Sequence, residues 1–136
     1  MRDSLFNDNA MNVSKIALNG LSTRQQLISR NLSNVDTPGY RAQQLDFESV
    51  LRKAAQPETT LRMASSHSAH LASPSKVSAS SFSVSYRPGG SFRADGNNVD
   101  IDTELLEMSQ TGIQYQAVSQ SITKKLALLK NIAMSG

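Results

Sequence analysis

The chain has 136 residues, a formal net charge of +3, no cysteine and no tryptophan. That length allows one domain at most, and 4 phenylalanines and 3 tyrosines leave few large anchors for a core. Lack of cysteine excludes disulfides, thiol catalysis and cysteine-held metals, and basic residues scattered without interleaved aromatics argue against nucleic-acid binding.

In chain order, residues 1–11 read as a flexible N-terminus. The stretch MRDSLFNDNAMNVSK lacks the long apolar segment of a cleaved signal peptide. No run approaches the roughly 18 apolar residues of a membrane span, so direct membrane insertion is not expected. Passage out of the cytoplasm would need another address.

Over residues 12–35, Val13, Ile16, Ala17, Leu21, Ile28, Leu32 and Val35 recur at helical spacing. Gly20 interrupts this run at a cost of about 1 kcal/mol against alanine. The helix stops in RNLSNVDTPGYR, residues 30–41. Pro38 has no N–H and biases Thr37 away from helical dihedrals. Pro38 and Gly39 suit the centre of a type II turn, with Gly39 at positive φ. Asp36 or Thr37 can bond nearby backbone amides.

Residues 36–98 form an irregular, serine-rich centre. Within it LDFESVLRKAA reads as a short amphipathic helix near 45–55, with Phe47, Val50 and Leu51 on one side. Further on, FSVSY alternates Phe82, Val84 and Tyr86 with serines, the period of a strand. RPGG and SFRA follow it, which predicts a small β-hairpin.

Residues 99–136 carry the strongest helical pattern. Asp100 and Asp102 supply capping and favourable charge at its start. Ile101, Leu105, Met108, Gly112, Tyr115, Ser119, Ile122, Leu126, Leu129 and Ala133 step alternately by four and three, a heptad seam. Leu106, Ile113 and Val118 widen it, enough for more than one neighbour. Gly112 and Ser119 are small residues on the seam, which implies close approach of a helix from this chain or a neighbouring one. Gly20 is the natural counterpart. Both terminal stripes are expected to find few partners inside so small a chain, and therefore to order on assembly.

No catalytic, cofactor or metal site emerges. His67 and His70 in HSAH have no further ligand near in sequence. DGNNVDIDTELLE superficially suggests a calcium loop, yet counting from Asp95 places Val99, Asp100 and Leu106 at the fifth, sixth and twelfth positions, which fails that pattern. A tight turn and helix capping explain the same residues. There is no nucleophile elbow and no glycine-rich phosphate loop. An enzyme is not expected.

The motif ISRNLSNVDTPGYRAQ resembles the N-terminal signature of the bacterial flagellar rod and hook axial family, in which a helix ends in Asn-x-x-Asn-x-x-Thr-x-Gly-Tyr. Asn31, Asn34, Thr37, Gly39 and Tyr40 match in register, with Ser33 where alanine is commoner. DFESVL, SSHSAHL and DGNNVDIDTELLEMSQTGIQYQAVSQSI look like segments of proximal rod members, with Thr111 where asparagine is more usual. The resemblance covers both ends and thinly spans the middle.

This resemblance implies a mainly α fold whose long N- and C-terminal helices pair as a coiled-coil-like layer. It implies a structural subunit of the proximal rod in the flagellar basal body, with a sibling axial rod protein as the alternative. Export by the flagellar type III apparatus, without a cleaved signal peptide, and polymerisation in the periplasm to transmit torque belong to the same implication. Implied partners are other rod proteins, the FliE adaptor, the MS ring or export gate, and copies of the chain itself. Phe47 and Leu51 resemble a Phe-x-x-x-apolar export signal, while local helix packing accounts for them equally well. The assembly seam would comprise Leu105, Met108, Gly112, Tyr115, Ile122, Leu126 and Leu129.

Overall fold

The computed structural model describes residues 9–55, 82–89 and 92–135. Among these, the order is helix α1 (Asn9–Ser33), strand β1 (Gln43–Leu45), helix α2 (Phe47–Ala55), strand β2 (Val84–Tyr86) and helix α3 (Ile101–Ser135). The fold is mainly α: two long terminal helices pack together, and one antiparallel two-stranded ribbon lies beside them.

Helix α1 turns Ile16, Ala17, Leu21, Leu27 and Ile28 inward as one buried stripe. On its outer face, Ser14 and Thr23 donate their hydroxyls to the carbonyls of Ala10 and Asn19, so these polar groups stay satisfied locally. Ala17, Leu21 and Leu27 join Leu45 and Phe47 in the core, against which Leu51, Phe82 and Val118 pack. Leu21 and Ile28 are each only 2% exposed, and burying such a side chain stabilises by about 1.5–3 kcal/mol. The N-terminal stripe thus finds its cover within the chain, contrary to the expectation from its small size. The β1–α2 segment supplies that cover alongside α3.

Helix α2 is capped by Asp46, whose carboxylate accepts from the Ser49 hydroxyl at 2.6 Å and the Ser49 amide at 3.4 Å. It delivers Phe47 onto Gly20. A Cβ at Gly20 would stand 2.5 Å from Phe47 Cε2 and 2.8 Å from Phe82 Cζ. The two rings stack with centroids 6.3 Å apart, and the Arg24 guanidinium lies 5.1 Å from the Phe47 centroid. Gly20 is therefore a notch for two aromatic rings, and its counterpart is not Gly112.

Strand β2 lies where the serine alternation placed it, but it pairs with β1 rather than with the SFRA stretch. The register is Gln43↔Tyr86, Gln44↔Ser85 and Leu45↔Val84. Residues 92–94 form no strand. The physical reason is that Arg93 is committed elsewhere: its amide donates to the Asn97 carbonyl and its guanidinium to the carbonyls of Val35 and Val99.

Helix α3 starts on Asp100, whose Oδ1 accepts from the amides of Asp102 and Thr103. It runs antiparallel to α1, since Asn31 near the end of α1 meets Glu104 near the start of α3. Glu104 and Thr111 are buried, with Val118 packed on the core. The inward line thus lies one residue before the expected 105–112–119 line. Glu104 sets this rotation, because Asn31 and Arg87 both bond it from the inside.

Candidate functional site

The end of α1 and the approach to α3 are joined by asparagine side chains. Asn31 is fully buried and uses every bonding position of its amide. Its Nδ2 donates to the Gln43 carbonyl at 2.9 Å and to Glu104 Oε1 at 3.1 Å. Its Oδ1 accepts from the Gln43 amide at 3.0 Å and the Tyr40 hydroxyl at 3.1 Å. One side chain thus ties α1, the turn, β1 and α3.

Asn34 closes the helix end: its Nδ2 donates to the Arg30 carbonyl and its Oδ1 accepts from the Thr37 hydroxyl. The turn follows, with the Tyr40 amide donating to the Thr37 carbonyl and Gly39 at φ 73°. That is the type II geometry expected of Pro38-Gly39. Asp36 takes no part in the turn's bonding; it lies exposed, 3.8 Å from Arg93.

Asn97 then grips this turn from across the chain. It is fully buried, and its Nδ2 lies 2.9 Å from the Asn34 carbonyl, 3.0 Å from that of Val35 and 2.9 Å from that of Thr37. Its Oδ1 accepts from the Val99 amide at 2.7 Å. The neighbouring Asn98 accepts from the Ala42 amide, also at 2.7 Å, and the Gly39 amide donates to the Asp95 carbonyl. Gly96 packs beside Gly39, where a Cβ would make ordinary contact at 3.6 Å from the Gly39 Cα, and its φ of 82° is what calls for glycine. The five motif residues and 93–100 therefore form a single clasp.

Charge completes it. Arg87 bonds Glu104 at 2.7 Å and Glu107 at 3.0 Å. Burial pushes the Glu104 carboxyl above its ordinary range, against the opposing pull of the Asn31 bond and Arg87. Burial likewise raises the Tyr40 phenol. Exposed Asp100 is held below the usual carboxylate range, chiefly by the Thr103 amide.

Phe47 and Leu51 belong to the core, as described above. Of the expected seam, Met108, Gly112, Ile122 and Leu129 are half-buried, whereas Leu105, Tyr115 and Leu126 are exposed. No atom lies within 4 Å of a Cβ built on Gly112. Among the described residues, no group of three or more His, Cys, Asp or Glu is placed to hold a metal. His67 and His70 lie outside the described residues. No described helix is long and apolar enough to cross a membrane.

Sequence reasoning found the turn but missed Asn97 and Asn98, which grip it and the residues just after it, and Arg87, which holds Glu104 and Glu107 on α3. The signal available was two adjacent asparagines in a short loop, an expensive pair to bury without partners.

The family described as flagella basal body rod protein matches residues 11–41, the span from α1 through the clasped turn. The flagellar basal body rod protein FlgB of Bacillus subtilis (strain 168) is 30% identical over 98% of this chain and 98% of its own length. That of Salmonella typhimurium is 32% identical over 95% of this chain and 96% of its own. The chain belongs to the FlgB family. The Escherichia coli (strain K12) member is 28% identical over 95% of this chain. FlgB proteins are structural components of the flagellar basal body rod, not enzymes.

Proposed function

We propose that this chain is a subunit of the proximal flagellar rod that polymerises with other rod proteins and with itself in the periplasm and transmits torque. What carries this reading is similarity to FlgB proteins over nearly the whole chain, together with a joint that fixes one end of the helix pair. A torque-bearing subunit needs its helices held at a defined angle, and the buried hydrogen bonds of Asn31 and Asn97, with the Arg87–Glu104 pair beside them, supply that. Meanwhile Leu106, Ile113 and Leu128 on α3 are 59%, 68% and 63% exposed, apolar surface that neighbouring subunits can bury.

Export proceeds through the flagellar type III apparatus. The FliE adaptor and the MS ring or export gate are the neighbours at the rod base. In the folded chain Phe47 is 7% exposed. If Phe47 and Leu51 serve as an export signal, they are read before the chain folds. The seam residues Leu105, Met108, Gly112, Tyr115, Ile122, Leu126 and Leu129 serve contacts between subunits.

An in-frame deletion tests the proposal. Cells should lack rods, hooks and filaments and regain them on complementation. Normal hooks in the deletion strain would overturn it.

A further inference from the structure

Asp95 is the one aspartate of the chain that a glycine follows. In such a pair nothing shields the second amide nitrogen, because glycine has no Cβ, and the backbone turns freely about it. The Gly96 nitrogen can then close a five-membered ring on the Asp95 side chain. Its lone pair forms a bond to Cγ, the amide proton passes to solvent, and a carboxyl oxygen departs as water. Water afterwards opens the cyclic imide. Attack at the former main-chain carbonyl breaks the bond from that carbon to nitrogen and leaves the chain running through Cβ and Cγ. One water leaves and one returns, so the product, isoaspartate, keeps the original mass and needs no other reactant.

The clasp holds every group that this reaction must move. The Gly96 amide donates to the Arg93 carbonyl at 2.9 Å, so its proton is engaged. Asp95 Oδ1 accepts from the Asn97 amide at 3.0 Å, and the Asp95 carbonyl accepts from the Gly39 amide at 2.9 Å. The imide ring fixes the torsion between the Asp95 Cα and its carbonyl carbon outside the main allowed regions. Reaching that torsion swings the carbonyl off Gly39. Asp95 itself is exposed, so hydrogen bonds protect it where burial does not.

We infer that Asp95-Gly96 is a spontaneous modification site controlled by the clasp, protected while Asn97 grips the turn and converted to isoaspartate while the grip is open. The product cannot be gripped again. The carbonyl that met the Gly39 amide has become a branching carboxylate, Cγ has entered the main chain, and one extra main-chain atom separates Asp95 from Asn97. Asn97 then no longer reaches the carbonyls of Asn34, Val35 and Thr37 together. A chain left open long enough loses its joint for good. None of this depends on the rod reading, and a deletion strain with normal hooks would leave it intact.

Asn19-Gly20 supplies a reporter in the same chain: its glycine amide lies within the ladder of α1, and its deamidation, which changes the mass, follows opening of that helix. Full-length wild type, Asn97→Ala and Asp95→Glu are held at neutral pH in buffer and in concentrated urea. Digestion and mass spectrometry follow the peptides around residues 19 and 95, with isoaspartyl O-methyltransferase confirming the product. Wild type should convert at Asp95 at least about tenfold faster in urea than in buffer. In buffer Asn97→Ala should convert about fivefold faster than wild type, with no matching rise at Asn19, and the two chains should have equal rates in urea. Asp95→Glu should yield no product, because its longer side chain closes the ring too slowly. The purified isoaspartyl chain should melt below its parent. Equal wild-type rates in buffer and urea, an Asn97→Ala rate no higher than wild type, or a rise at Asn19 in step with Asp95 would each overturn the inference. So would an isoaspartyl chain that melts with its parent.

Discussion

Replacing Asn97 by alanine removes one side chain and loosens the joint from both sides. Three carbonyls lose the Nδ2 donor, but each keeps another: Asn34 retains the Thr37 amide, Val35 the Arg93 guanidinium and Thr37 the Tyr40 amide. The Nδ2 group has two hydrogens, so the loss there is about two bonds at roughly 0.5–1.5 kcal/mol each. The Val99 amide fares worse. Its acceptor disappears and it has no other acceptor among the described residues, which costs about 1–3 kcal/mol. The sum is about 2–6 kcal/mol. For a chain of 136 residues, at about 3–5 °C per kcal/mol, the melting temperature should fall by roughly 15 °C. Asn97→Asp keeps the acceptor for Val99 but sets a carboxylate among three carbonyls, so at neutral pH it should cost at least as much as alanine. Thermal and urea unfolding by circular dichroism provides the measurement. Limited proteolysis near residues 34–41 should report the opened turn. A melting shift below about 2 °C for both variants would refute the reasoning and make the clasp incidental.

Gly20→Ala should destabilise by about 1–3 kcal/mol, although alanine favours helix by about 1 kcal/mol, because its Cβ would strike the Phe47 and Phe82 rings; chemical denaturation decides. Gly112→Ala and Gly112→Leu should both stabilise the isolated chain by up to about 1 kcal/mol, since no atom lies near that Cβ. If a neighbouring helix packs there, only the leucine variant abolishes swarming, whereas equal motility of the two would remove Gly112 from the assembly surface. Phe47→Ala should cost about 3–5 kcal/mol as a core truncation, and a fall in secretion at unchanged intracellular level would show that the export apparatus also reads it. Glu104 has a folded-state pKa above its unfolded value, so its contribution is fully present below the unfolded pKa and is lost as pH rises through the folded one. The stability of the wild type relative to Glu104→Gln should therefore decline as pH rises above the ordinary glutamate range of about 4, and a flat difference in urea titrations would contradict the burial effect.

Local chemistry made much of this legible. Pro38-Gly39, Asp100 and the long C-terminal periodicity each state a structure within a few residues of themselves, and the turn and helix start follow. What could not be read depends on distant partners. Strand β1 is the unremarkable tripeptide Gln43-Gln44-Leu45, and nothing local indicates that Val84–Tyr86 will lie beside it. The rotation of α3 was hidden for a different reason. An apolar count assigns Leu105 inward, but Glu104 takes the place because Asn31 and Arg87 are there to receive it. Gly20 showed the need for close approach, but the partner expected from the small residues of α3 was the wrong one, because the Phe47 and Phe82 rings that fill the notch come from outside both long helices.

Asn97 holds residues 34–37 by their main-chain carbonyls and by no side-chain atom. A grip of this kind is indifferent to what Val35 and Asp36 carry, provided the carbonyls keep their positions. The outer surface of the turn is therefore available for recognition: it can be recoded for a different neighbour, or decorated with a label or a cross-linking group, without redesign of the joint beneath it. The same indifference does not extend to proline at position 37, which would displace the Thr37 amide from its bond to Asn34. Shape is held here, and identity is left open.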